Sequence, residues 1–185
     1  MTQMFDDKRN VVPVTLIEAG PCFVTQLKTK EGKDRYDSVQ IGFQSVKEKK
    51  IKKSQKKRPY RYVKEFQADS AYNVGEKIDA SVFKEGDVVK ISGISKGKGF
   101  AGVIKKWKFH SKPASHGTKH EERAMGSKGP SFPHKIKGRK MPGRMGYDRV
   151  TVKSVKIKKV DSENNLIAIL GAVPGRKGTL LEITG

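Results

Sequence analysis

Cysteine occurs once in these 185 residues, at Cys22. That scarcity excludes an intrachain disulfide and any multi-thiolate metal site. The lone thiol sits in the apolar run PCFVTQL and reads as a small buried side chain. Long apolar runs are missing as well, since nothing approaches the ~18 consecutive apolar residues of a membrane-spanning helix. The opening MTQMFDDKRN has neither a basic-then-apolar secretory signature nor an acid-poor transit helix. The chain therefore reads as soluble and made in a reducing compartment. Aromatics are only 8% of residues and charged groups 32%, so part of the chain is not expected to bury itself unaided. Acidic residues are scarce, 19 against 40 Lys and Arg, for a net charge of +21. Such an excess narrows the partners to nucleic acid, an acidic protein or an anionic membrane surface. Catalytic signatures are absent too. There is no G-x-S-x-G and no carboxylate pair in an apolar setting, and Glu121-Glu122 lies in a basic field and reads as a solvated pair. No enzyme, cofactor or small-molecule substrate is expected.

What is there is unevenly distributed. Residues 1–46 balance six basic against six acidic side chains, and residues 65–95 are net −3. Residues 47–64, KEKKIKKSQKKRPYRYVK, are net +9, residues 96–146 are net +12, and residues 147–185 are net +3. The near-neutral blocks look folded. VVPVTLIEAG and CFVTQLKT are β-branched runs broken by Gly20 and Pro21. DSVQIGFQSV alternates Val39, Ile41 and Phe43 against Gln40 and Gln44, a period of two that suits a half-buried strand. GDVVKISGIS offers another strand, and SVFKEG a single turn ending at Gly86. RVTVKSVKIKKV and NLIAILGAV flank the hairpin loop DSENN. The second of these is apolar on both faces and is expected to be central in its sheet. Helical periodicity is rare. The fold class expected is all-β, a barrel or sandwich.

Residues 96–146 differ in kind, with nine glycines, four prolines, all four histidines and no sustained periodicity. Strands resume at YDRVTVKSV, so this is a long irregular basic insert between two strands. It opens with SGISKGKGFAGVIKKWKF, which contains G-x-G-x-x-G at Gly97, Gly99 and Gly102. A dinucleotide site needs those glycines to open a sustained helix, with an acidic residue about 20 positions on. Glu121 and Glu122 stand near that distance, but Pro113 and Gly117 interrupt the segment after Gly102 and no second βαβ unit exists. Glycines between lysines instead let a backbone approach phosphates that the lysines neutralise. Trp107, Phe109 and His110, interleaved with Lys105, Lys106 and Lys108, offer faces for stacking on unpaired bases. The alternative for Trp107 is a plug in the mouth of the barrel. His116 and His120 have helical zinc spacing, but Gly117 between them and the lack of a thiolate favour RNA contact or plain exposure.

Taken together, SGISKGKGFAGVIKKWKF, HGTKHEERAMGSKG, KIKGRKMPGRMG, RVTVKSVKI and AILGAVPGRKG resemble the bacterial ribosomal large-subunit protein three family. The opening MTQMFDDKRNVVPVTLIEAGPCFVTQLKT is similar to that family's as well, so the resemblance covers nearly the whole chain. It implies a β-barrel body of translation-factor type at 1–95 and 147–185, with 96–146 as a long loop reaching through ribosomal RNA towards the peptidyl transferase centre. The implied stem is SKGKGFAG and KIKGRKMPGRMG, and the implied tip runs from about Gly126 to His134. The family binds large-subunit rRNA directly and early, helps nucleate assembly, and sits among neighbouring ribosomal proteins in the cytoplasm. Three departures stand out. The family usually begins with about ten further residues, a strand, and Met1 starts where that strand ends, so either a barrel strand is shortened or the sequence begins late. The lysines of 47–64 run straight into Glu65-Phe66, and the tip GSKGPSFPHK is short and lacks a glutamine.

The candidate RNA-contacting residues of the first basic block are Lys49, Lys50, Lys52, Lys53, Lys56, Lys57, Arg58 and Arg61. Those of the stem's opening are Lys96, Lys98, Lys105, Lys106, Trp107, Lys108 and His110. Lys112, His116, Lys119, Arg123, Ser127 and Lys128 come next along the loop. His134, Lys135, Lys137, Arg139, Lys140 and Arg144 complete its return. Both basic blocks are expected to order on binding. A nonspecific nucleic-acid-compacting protein is the competing reading, although such a protein would gain little from one long insert.

Overall fold

The structure is a computed structural model and describes all residues except 7, 33, 57, 68–71 and 130–136. Its elements, in chain order, are β1 (Thr2–Phe5), β2 (Val11–Glu18), β3 (Cys22–Lys28), β4 (Ser38–Ser45), β5 (Tyr60–Phe66) and β6 (Lys77–Ile78). After these come β7 (Val88–Ile94), β8 (Phe100–Ala101), the short helix α1 (Val103–Trp107), β9 (Gly143–Arg144), β10 (Arg149–Asp161), β11 (Leu166–Leu170) and β12 (Leu181–Thr184). Single 3-10 turns stand at Glu48–Lys50, Lys53–Gln55 and Ala80–Val82. The all-β class is thus as the period-two runs indicate. Among the described residues, no ring of strands closes into a barrel.

The chain forms two compact bodies, one of Met1–Lys90, Lys153–Val173 and Thr184–Gly185, the other of Ile91–Val152 and Pro174–Ile183. In the first body one sheet has the order β1-β2-β11-β10. The apolar strand β11 is central, paired antiparallel with β2 on one side and β10 on the other. Both its faces are covered, so Ile167, Ala168 and Ile169 are all buried, with Val14 and Ile157 beside them. Burying an aliphatic side chain of this size stabilises by about 1.5–3 kcal/mol. DSENN forms the expected hairpin turn between β10 and β11. A register shift between Ile157 and Lys159 accompanies the intervening Lys158, whose ammonium pairs with Asp6 at 2.9 Å.

The other sheet of this body has the order β5-β4-β3-β6. Val24 and Val39 are buried in it, and the rings of Phe23 and Tyr60 stack at 5.6 Å. Gly42 makes room for that stack, since a Cβ there would lie 2.4 Å from Tyr60 Cδ2. The alternation in β4 holds for Gln44, which is exposed, and fails for Gln40, which is only 4% exposed. The flanking strands supply the reason. Gln40 Oε1 accepts from the Thr25 hydroxyl at 2.9 Å and from Arg58 at 3.0 Å, while Nε2 donates to Glu65 at 3.2 Å. A buried amide with all three partners is tolerated where an unpaired one is not. Cys22 is half-buried in β3, its thiol donating to the Ala19 carbonyl at 3.7 Å. Burial, and then the charge of Asp79, push its pKa up.

In the second body Ile91 is buried, and the hydroxyls of Ser92 and Thr151 are 2.8 Å apart. Close packing demands glycine at 93, where a Cβ would stand 2.6 Å from Leu181 Cδ2. Arg149 pairs with Glu182, and β8 and β9 form a two-stranded antiparallel ribbon.

Candidate nucleic-acid interface

The two basic stretches are built differently. Between β4 and β5 the lysines crowd too closely for a sustained helix, because like charges three and four apart repel. The chain takes two 3-10 turns instead, and the Val46 amide bonds to the Pro59 carbonyl at 2.8 Å to close the excursion. Lys49, Lys50, Lys52, Lys53 and Lys56 all point to solvent, and none has an ion-pair partner among the described residues. Lys57 lies outside the described residues. Arg58 is committed internally through Gln40. Arg61 belongs to the strand β5, with its guanidinium 5.1 Å from the Tyr62 ring centroid. The block that reads as one arm is therefore a cationic loop followed by a strand.

The second stretch starts as an ordered stem. The Ser95 amide bonds to the Asp148 carbonyl, and the Lys98 and Met145 amides bond to Met145 and Gly99 carbonyls respectively, each at 2.9 Å. Phe100 pairs with Arg144 and Ala101 with Gly143. Gly99 takes φ +66 in open space, whereas Gly146, at φ +77, faces the Lys96 carbonyl oxygen so closely that a Cβ would lie 2.2 Å from it. The glycines thus serve a ribbon. Gly102 stands at the N-cap of a helix, but α1 has five residues and ends where Lys108 turns left-handed at φ 58. It is far too short to be the crossover of a parallel βαβ unit.

Trp107 is what sequence could not place. It is 38% exposed, so it is no buried plug, and its indole N–H donates to the Met141 carbonyl at 2.8 Å. The ammonium groups of Lys106 and Lys140 stand 5.2 and 5.7 Å from its ring. The indole thereby joins the outgoing and returning halves of the insert and gathers two cations about itself. Lys96, Lys98, Lys105, Lys108 and His110 are exposed nearby.

Further out the chain is irregular. The Lys112 amide bonds to the Glu122 carbonyl at 2.9 Å, and its ammonium pairs with the Glu121 carboxylate. Glu121 is exposed as expected, yet it is engaged, and the hydrogen bond from Lys112 holds its pKa below the usual carboxylate value. Lys112 accordingly starts with an internal partner. His116 takes φ +60 ahead of Gly117, and Lys119, Arg123, Ser127 and Lys128 are exposed. Arg139 donates to the Ser127 carbonyl, which draws these two turns together. Lys137, Lys140 and Arg144 are exposed, while His134 and Lys135 lie outside the described residues. Block charge passes over other exposed cations, Lys90, Lys153, Lys156, Arg176 and Lys177, because acidic neighbours in sequence dilute them.

A β-structured body with unpaired cations on a closed loop and on an ordered stem defines a class, the basic protein shaped to face a polyanion. The comparisons with known proteins specify which. The family profile described as Ribosomal protein L3 matches residues 68–168. The large ribosomal subunit protein uL3 of Heliobacterium modesticaldum is 49% identical over 193 residues, 99% of this chain and 91% of that protein. Its counterpart in Desulfitobacterium hafniense is 45% identical over 192 residues, covering 98% and 89% respectively. That of Carboxydothermus hydrogenoformans is 45% identical over 194 residues, covering 99% and 91%. The chain belongs to the ribosomal protein L3 family, a structural and non-enzymatic family of ribosomal components. No helix among the described residues is long and apolar enough to cross a membrane.

Proposed function

We propose that this protein is an architectural part of the large ribosomal subunit that binds the subunit's rRNA directly and helps to nucleate its assembly. A barrel-type body at 1–95 and 147–185 sets position and meets neighbouring ribosomal proteins, in the cytoplasm. Residues 96–146 extend from it as a basic loop towards the peptidyl transferase centre. The observation that carries the reading is the exposure of cations that have no carboxylate partner among the described residues, on both sides of the Trp107–Met141 tie, in a stretch with fourteen basic and two acidic residues. Such side chains neutralise phosphates and release counterions, while an ordered stem fixes their register.

The test is equilibrium binding of the purified protein to large-subunit rRNA and to duplex DNA of similar length at two salt concentrations. With roughly ten phosphates contacted, the log–log salt slope for RNA is expected at about −7 to −9. A preference for rRNA that survives the higher salt supports a shaped site. Equal binding to both that collapses with salt would leave a nonspecific compacting protein as the better description.

A further inference from the structure

The ribbon formed by β8 and β9, with the turn that follows β9, carries two of the most exposed aromatic side chains among the described residues. Phe100 is 80% exposed and Tyr147 65% exposed. Each leaves most of its ring surface in water, although hydrogen bonds and close backbone packing hold the chain beside it. Phe100 sits one residue beyond Gly99, which accepts the Met145 amide, and Tyr147 comes directly after Gly146, which is packed on the Lys96 carbonyl. Between them stands Arg144. As the direct cross-strand partner of Phe100 it projects from the same face of the ribbon. Its guanidinium lies 5.1 Å from the centroid of the Tyr147 ring. The order Phe100, Arg144, Tyr147 therefore presents a benzyl ring, a planar cation and a phenol on the two-stranded ribbon and the turn that follows it.

We propose that this triad is a stacking platform for an unpaired nucleobase of RNA. The inference deepens the rRNA-binding reading and rests on it. Rings fixed in place lose little conformational freedom when a base stacks on them, and the guanidinium plane stacks as well. Charge argues for a nucleotide over an apolar protein surface as the occupant. Arg144 would be desolvated without compensation under an apolar partner. Beside a nucleotide it meets a phosphate as well as a base, and Lys96 and Lys98, exposed and without ion-pair partners among the described residues, stand on the stem segment leading into β8 for the adjoining backbone. No hydrogen-bonding edge is offered by the two rings' faces, so the platform selects an unstacked base without reading its identity.

The experiment uses the full-length protein with Phe100→Leu and Phe100→Tyr. Leucine keeps apolar bulk and removes the π face, while tyrosine restores it. The probes are large-subunit rRNA and a fully paired RNA duplex of equal length. The expected result is roughly ten-fold weaker rRNA binding for Phe100→Leu, near wild-type binding for Phe100→Tyr, and unchanged duplex affinity for both. Phe100→Leu binding rRNA like the wild type overturns the platform and favours an apolar protein contact at this ribbon. Equal losses on rRNA and duplex overturn it too, in favour of a structural role for Phe100. A wild-type protein that does not prefer rRNA over duplex DNA marks a different failure, that of the rRNA-binding reading itself.

Discussion

Gly146→Ala is expected to loosen the stem of the basic insert without unfolding the body. Two costs can be separated. At φ +77 an alanine is left-handed, which costs an L-residue about 1–2 kcal/mol. Its Cβ would also lie 2.2 Å from the Lys96 carbonyl oxygen, a backbone atom that no side-chain rotation removes. Relief requires the ribbon to part beside the Lys98–Met145 and Met145–Gly99 hydrogen bonds, each worth about 0.5–1.5 kcal/mol net. The sum is about 2–5 kcal/mol of local stability. Gly99→Ala is the control, because it has φ +66 and nothing within 4 Å, so it carries the conformational cost alone. The assay is native-state amide exchange at Lys98 and Met145, which reports local opening. The two variants differ by the two hydrogen bonds, about 1–3 kcal/mol. Exchange in Gly146→Ala should therefore exceed that in Gly99→Ala by about five-fold or more, since each step of about 1.36 kcal/mol is a factor of ten in an equilibrium constant. Equal exchange in the two variants would refute the claim that backbone contact holds the stem.

Gln40→Ala removes the partner of Thr25, Arg58 and Glu65 at a buried position, and should lower stability by about 1–3 kcal/mol. An unchanged urea midpoint would show that these groups re-pair with water. Trp107→Phe keeps a ring beside Lys106 and Lys140 but deletes the donor to Met141, so it should weaken rRNA binding more than Lys105→Ala, one charge among fourteen. Equal defects would remove the special role of the indole. Cys22, with its pKa raised by burial, holds less thiolate than a free thiol at pH 8. It should react more slowly with an aromatic disulfide reagent, and the rate should climb through a midpoint above that of free cysteine. A midpoint at or below that of free cysteine would contradict the burial.

What was legible in the sequence was whatever depends on neighbours along the chain. β11 announced itself as central because both its faces are apolar, and the irregular insert because its glycines and prolines forbid either period. Gln40 was misplaced because its burial depends on Thr25, Glu65 and Arg58, which the fold brings from two other strands and the loop before β5. β5 was hidden inside a charge run, where Tyr60, Tyr62 and Phe66 alternate too weakly against lysines and arginines to be heard. The helix α1 was missed for a related reason. Its β-branched and aromatic residues argue against helix locally, and a tie from Trp107 to a residue 34 positions away accompanies it. Charge by blocks found the basic loop and the insert, but it could not tell an idle cation from Arg58 or Lys112, which already have partners.

The closure of residues 47–58 has a kinetic consequence. The Val46–Pro59 hydrogen bond and the Arg58–Gln40 contact pin both ends of this short excursion to the sheet. Its lysines cannot wander farther than a dozen residues of chain permit. In the proposed complex each ammonium that lets go of a phosphate stays at a local concentration of order millimolar relative to the next one. Individual contacts then exchange rapidly while the loop as a whole stays attached, so residence time is a collective property. Single lysine replacements should leave the dissociation rate nearly unchanged, and the loss should steepen only as several are removed together.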